Sequence, residues 1–122
     1  MLYTDEDGGC PFDDEWRASK AVTKGDKAKI DAKFTNIESI DDDLPARWWT
    51  RYKSSDGLWE LRVTGQGKKM LRPLGIRTES RELLFFLGSI EKGNQLSPKD
   101  ITKAENLKTA WKHGRGNKKR WA

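Results

Sequence analysis

A chain of 122 residues with 24 lysines and arginines holds one histidine, His113, and one cysteine, Cys10. That inventory excludes a two-histidine ribonuclease mechanism. A nucleophile–histidine–carboxylate triad would have to be built on His113 alone, within a basic stretch. One cysteine allows no internal disulfide and no cysteine-based metal site, and no P-loop, HExxH or dinucleotide fingerprint is present. The residue types available in number are cations, and phosphoryl transfer can run on cations because its barrier is largely charge developing on phosphate oxygens. RNA also brings its own nucleophile, the 2′-hydroxyl. A protein that aligned that hydroxyl and supplied guanidinium or ammonium groups would need neither a metal nor another cofactor.

GLWELRV, residues 57–63, is where such a cation is best placed. Trp59, Leu61 and Val63 alternate onto one strand face, so Glu60 and Arg62 share the other. The two side chains either pair as a structural unit or hold Arg62 where an anion arrives. Arg72 lies in the next strand candidate, KKMLRPLGI, with Glu60 as its nearest obvious competing carboxylate. Lys68 and Lys69 fall in the intervening turn, where they have reach for steering phosphate but little rigidity. The final RGNKKRW segment, with Lys118, Lys119 and Arg120, could contact phosphate, dock on an acidic partner or stay disordered.

Charge is divided along the chain. Residues 1–60 carry 14 acidic and 9 basic side chains, a balance of −5; residues 61–122 carry 5 and 15, a balance of +10. This asymmetry points to a polyanion or an acidic protein at the C-terminal half. The length suits one domain over residues 1–122 with a basic tail at 114–122 open to flexibility. Only 34% of residues are apolar, partly compensated by six Trp and four Phe. No run approaches a membrane span and the acidic start lacks secretory features, so a cytoplasmic location without membrane contact is expected.

The elements that must position these residues follow from periodicity. PFDDEWRASK predicts a brief helix, and TKGD predicts a capping box between Thr23 and Asp26 that opens a second, with Ile30, Phe34 and Ile37 on its apolar stripe. DDDLP, residues 41–45, predicts a break through charge repulsion and Pro45. LWELRVT, KKMLRPLGI and ELLFFLGSI predict three strands in an antiparallel meander, with Pro73 requiring a bulge or an edge position. Leu2–Thr4 is a candidate for a short extra strand. SPKD predicts a C-terminal helix with Ser97 as cap, Pro98 in the first turn and Asp100 completing the box; Ile101, Ala104, Leu107 and Trp111 form its stripe and Gly114 its stop. The expected fold is therefore α+β: a small antiparallel sheet of three to four strands with two N-terminal helices and one C-terminal helix.

GLWELR, KMLR, LLFFLGSIEK and SPKDITKA, in this order from residue 57 to 104, resemble the HigB branch of the RelE/ParE superfamily of bacterial and phage toxins. The resemblance spans about Pro11 to Trp111. It implies a metal-independent endoribonuclease that cleaves mRNA in the ribosomal A site, without a cofactor, and is held inactive by a cognate HigA-like antitoxin, which in some systems carries a helix-turn-helix. The alternative it leaves is a non-catalytic or redirected relative, such as a gyrase-targeting toxin or a regulatory interaction module. By the resemblance Arg62, Arg72 and Lys92 are the catalytic candidates, with His113 as the counterpart of a C-terminal aromatic or imidazole group. Lys68, Lys69, Lys118, Lys119 and Arg120 are the RNA-contacting candidates. The chain departs from the family pattern at Gly93, where a second lysine is usual, and at Pro73 and Gly75 in the second strand.

Overall fold

The computed structural model describes residues 1–40 and 43–122. Asp41 and Asp42, where the charge-driven break was expected, lie outside the described residues. A seven-stranded mixed sheet organises the chain. Its strands are β1 (Leu2–Thr4), β2 (Trp49–Arg51), β3 (Trp59–Leu61), β4 (Val63–Thr64), β5 (Met70–Arg77), β6 (Leu83–Ile90) and β7 (Asn117–Lys119). They run in the order β2-β3-β5-β6-β1-β7, with β4 pairing β5, and β1 lies parallel to β6 while the other pairs are antiparallel.

This corrects the expected three- to four-stranded antiparallel sheet with two N-terminal helices. The central β3-β5-β6 order has the antiparallel pairing of a meander, but β1, β2 and β7 add three-residue strands at both margins. Three residues are too few to display a period-2 pattern, and Asn117-Lys118-Lys119 is wholly polar; pairing with a neighbour, not local preference, makes these segments strands. The N-terminal half contains one α-helix, α1 (Lys24–Glu38). The other expected helix is a six-residue π-helix, Phe12–Arg17, marked by the Ala18 N–H donating to Asp13 O. At the C-terminal side α2 runs from Pro98 to Lys112. Among the described residues no helix is long and apolar enough to cross a membrane.

The helices cover both faces of the sheet, and one bulge in β6 sets which of its side chains meet which helix. Leu74 pairs with Leu87, but Gly75 pairs with Phe85, so Phe86 is the extra residue. Phe85 and Gly88 thereby face the same side. Phe85 stacks on Phe34 of α1 with centroids 5.0 Å apart and meets Phe12 of the π-helix. A Cβ built on Gly88 would lie 2.1 Å from the Trp16 ring, so only glycine admits that indole. Ser89, one residue on, points the other way and donates to Asp100 of α2 at 2.6 Å. Leu84–Leu87 are all buried.

Capping differs between the two α-helices. Thr23 and Asp26 form the reciprocal box at α1, Asp26 N donating to Thr23 Oγ1 (3.1 Å) and Thr23 N to Asp26 Oδ2 (3.0 Å). At α2, Ser97 occupies the cap position but makes no side-chain cap bond. The box expected from SPKD is absent; Asp100 instead accepts from Ser89 Oγ, tying the helix to the sheet.

Candidate functional site

Arg62 alternates with the buried Leu61 and Val63 and so faces away from them, while Pro73 of β5, lacking an N–H, cannot donate to the ladder beside it. The pairs Glu60–Leu74 and Val63–Leu71 keep one register, and of the two residues between them only Arg62 falls outside the β3 and β4 segments. The Arg62 N–H donates to Trp48 O at 2.7 Å, continuing the β2–β3 register by one residue. Extending the flanking register sets Arg62 opposite Arg72. Both lie on the α2 face, since Arg72 pairs with Ser89 and Glu60 with Leu74.

Like charges opposite one another destabilise a sheet unless neutralised. Here each guanidinium has its own carboxylate. Arg62 Nε donates to Glu60 Oε1 at 3.2 Å, and Arg72 Nε to Glu91 Oε1 at 3.3 Å. Arg72 also gives Nη1 to Leu71 O at 2.9 Å. Both glutamates therefore grip the Nε side. Among the described residues Arg72 Nη2 and both Nη groups of Arg62 have no hydrogen-bond partner. The two arginines differ in freedom: Arg72 is 8% exposed, whereas the Arg62 side chain is 48% exposed.

Glu60 is the anomaly. It is 4% exposed, and its Oε2 is buried with no hydrogen-bond partner among the described residues. An unsatisfied buried acceptor costs about 1–3 kcal/mol.

A groove of about 770 Å³ opens over Glu60 and Arg62; the buried Arg72 is not among the residues that line it. Its walls are β2 and the following loop (Arg51, Tyr52, Lys53), the turn at Asn94–Leu96, and the first turns of α2, with Glu60, Arg62 and Glu91 lining it. The loop wall is strapped to α2: Glu105 accepts from Ser55 Oγ and Asp56 N, and the buried Lys108 donates to Asp56 O.

The other sequence candidates lie elsewhere. Lys92 is exposed in the Lys92–Gln95 turn and shares a separate hollow of about 530 Å³ with Lys68, Lys69 and Met70. His113 caps the C-terminal end of α2 and is exposed. At 1.5 Å rise per residue it stands about 20 Å along the axis from Asp100. Lys118, Lys119 and Arg120, from the segment considered open to flexibility, lie in or next to β7; Lys118 pairs with Glu82, Lys119 with Asp13 at 3.3 Å and Arg120 with Glu38 at 3.9 Å. The bond from Lys118 holds the Glu82 carboxyl below its ordinary range.

Lys69 has a structural partner that spacing did not reveal. Its Nζ lies 2.6 Å from Oδ2 of the fully buried Asp26, which also accepts from Gln66 N at 2.8 Å. Burial opposes ionisation of Asp26, but the bonds from Lys69, Thr23 and Gln66 together outweigh it and lower the carboxyl from 3.8 to about 2. Sequence reasoning also missed Glu91. It set Glu60 against Arg72, whereas the Glu91 N–H to Met70 O bond brings Glu91 beside Arg72 and leaves Glu60 to Arg62. The signal was the carboxylate just beyond the third strand, nineteen residues after Arg72, where an antiparallel return brings it back alongside.

Comparison with protein-family profiles, with curated proteins and with solved structures gives no match.

Proposed function

We propose that this chain is a metal-independent endoribonuclease that acts on ribosome-bound mRNA as the toxin of a toxin–antitoxin pair. The observation that carries the catalytic part is the cross-strand Arg62–Arg72 pair: both keep terminal guanidinium nitrogens unengaged, and Arg62 lines an open groove. A phosphodiester presents paired oxygens that such forks match in geometry and charge. In this reading Arg72 is the fixed cation, clamped by Glu91 and Leu71 O, and Arg62 is the mobile one. The ribosome and the antitoxin come from the resemblance of GLWELR through SPKDITKA to HigB-type toxins, as does the mRNA substrate. The antitoxin would cover part of the basic half, where complementary charge speeds and orients association.

A second reading, an RNA-phosphate binder without cleavage, is favoured by one observation. Lys92 and His113, the two side chains first considered for proton transfer, lie outside the groove.

Translating ribosomes with a chelator present separate the two. The wild-type chain should cut mRNA to leave a 2′,3′-cyclic phosphate and a 5′-hydroxyl, and Arg72→Ala should slow the cut by about 10²–10³ while leaving the melting curve native-like. Ends bearing 5′-phosphate would overturn the 2′-hydroxyl mechanism, and undiminished cleavage by Arg72→Ala would remove that residue from the site. Intact transcripts with bound RNA would establish the binder, and intact transcripts with damaged DNA a redirected, gyrase-directed relative.

A further inference from the structure

We infer that Glu60 is the proton acceptor for the attacking 2′-hydroxyl and that Arg62 is its cover, drawn aside by the arriving phosphate. The inference rests on the ribonuclease reading above and supplies the base that reading lacks. Three observations carry it. Glu60 is 96% withdrawn from solvent and lines the groove, yet one of its carboxylate oxygens has no partner among the described residues. The other carboxylates of the groove are engaged: Glu91 holds Arg72, and Glu105 holds the Ser55–Asp56 loop. The one contact Glu60 does make is with a half-exposed guanidinium, through Nε alone and at 3.2 Å, which leaves the terminal nitrogens of Arg62 open.

A phosphodiester can take two charge-assisted bonds from that guanidinium, against the single Nε bond that holds it to Glu60. Turning Arg62 toward the phosphate uncovers the Glu60 carboxylate beside the anchored nucleotide. The 2′-hydroxyl then gives its proton to Glu60 as the O2′–P bond forms. The P–O5′ bond breaks, its electron pair leaves with O5′, and that oxygen takes a proton from water; Glu60 later returns its own proton to solvent. No oxidant, reductant or metal enters the balance. The charged groups that line the groove with Glu60 are Arg62 on its own strand segment, Arg51 of β2, Lys53 of the following loop, Glu91 beyond β6 and Glu105 of α2, and Arg72 of β5 stands across the ladder from Arg62.

The test is single-turnover cleavage on translating ribosomes across about pH 5–9, paired with affinity for an uncleavable mRNA carrying 2′-deoxy at the cut site. Glu60→Gln should slow cleavage by about 10²–10⁴ and abolish the rise in rate with pH on the acidic side. Its affinity for the uncleavable RNA should stay within about twofold of wild type, because both arginines remain. Glu60→Asp should keep the acidic limb at a reduced rate, and it carries the decision should Glu60→Gln melt early: a limb retained supports the assignment and a limb lost overturns it. Glu60→Gln cleaving within about threefold of wild type with the same pH limb would overturn the inference alone, leaving the arginine site standing. Parallel loss of affinity and rate would reduce Glu60 to a holder of Arg62. A wild-type chain that never cleaves removes the parent reading, and this one falls with it.

Discussion

Replacing Lys69 by methionine should destabilise the fold without touching the arginine site, and the size follows from Asp26. The Asp26 carboxyl is fully buried and held at about 2 instead of 3.8, with Lys69 Nζ at 2.6 Å as its one cationic partner among the described residues. Each tenfold change in an ionisation constant corresponds to about 1.4 kcal/mol. Allowing for screening around the partly exposed ammonium, the bond stabilises the folded chain by about 1–2 kcal/mol. For a domain of this size that is roughly 3–10 °C in Tm. The sign of the acid dependence is fixed as well. A carboxyl depressed in the folded state adds stability that is fully present above its unfolded value near 3.8 and is lost as pH falls through about 2. In Lys69→Met the folded value rises toward ordinary, so the loss between about pH 4 and 2 should flatten. Thermal melts at neutral pH and through the acid range read both effects. A Lys69→Met chain that melts within about 1 °C of wild type and keeps the wild-type acid slope would refute the assignment. RNA affinity in the same variant separates a structural lysine from a steering one: a fall confined to stability places Lys69 with Asp26.

His113→Ala should cleave within about threefold of wild type, since His113 stands about 20 Å along α2 from Asp100; a hundredfold loss would put an imidazole back into the mechanism. Gly88→Ala should destabilise by about 1–3 kcal/mol through overpacking, because its Cβ would enter the Trp16 ring. Differential scanning calorimetry would show that loss, and an unchanged Tm would mean that the π-helix can shift at no cost.

The middle of the chain was legible because its strands are long enough to show their period. Leu84–Leu87 read as a buried strand, and they are buried. TKGD read as a capping box, and both bonds are present. SPKD had the same local form but not the same outcome: Asp100 instead accepts from Ser89 of another element. Of the marginal strands Leu2–Thr4 was a candidate and is β1, whereas Trp49–Arg51 and Asn117–Lys119 were not foreseen: Asn117–Lys119 become a strand only where Leu2–Thr4 offer them hydrogen bonds. At the site, the pairing of Glu60 with Arg62 follows from alternation alone, as WELR places them two apart on one face. The meeting of Arg62 with Arg72 depends on register, and Glu91 enters through a return from β6 that no local pattern announces.

The placement of β1 also sets an order of assembly. Leu2 pairs with Phe85 on one side and Lys119 on the other, separations of 83 and 117 residues. Nothing nearer in the sequence satisfies that strand, so it stays unpaired while the β3–β6 region can already zip through short turns. Such long-range closure is slow because the loop entropy is lost before any contact rewards it. During synthesis the Leu2–Thr4 segment is therefore an open edge until residues 117–119 emerge, and locking β1 between β6 and β7 is the step that ends its exposure to pairing with other chains.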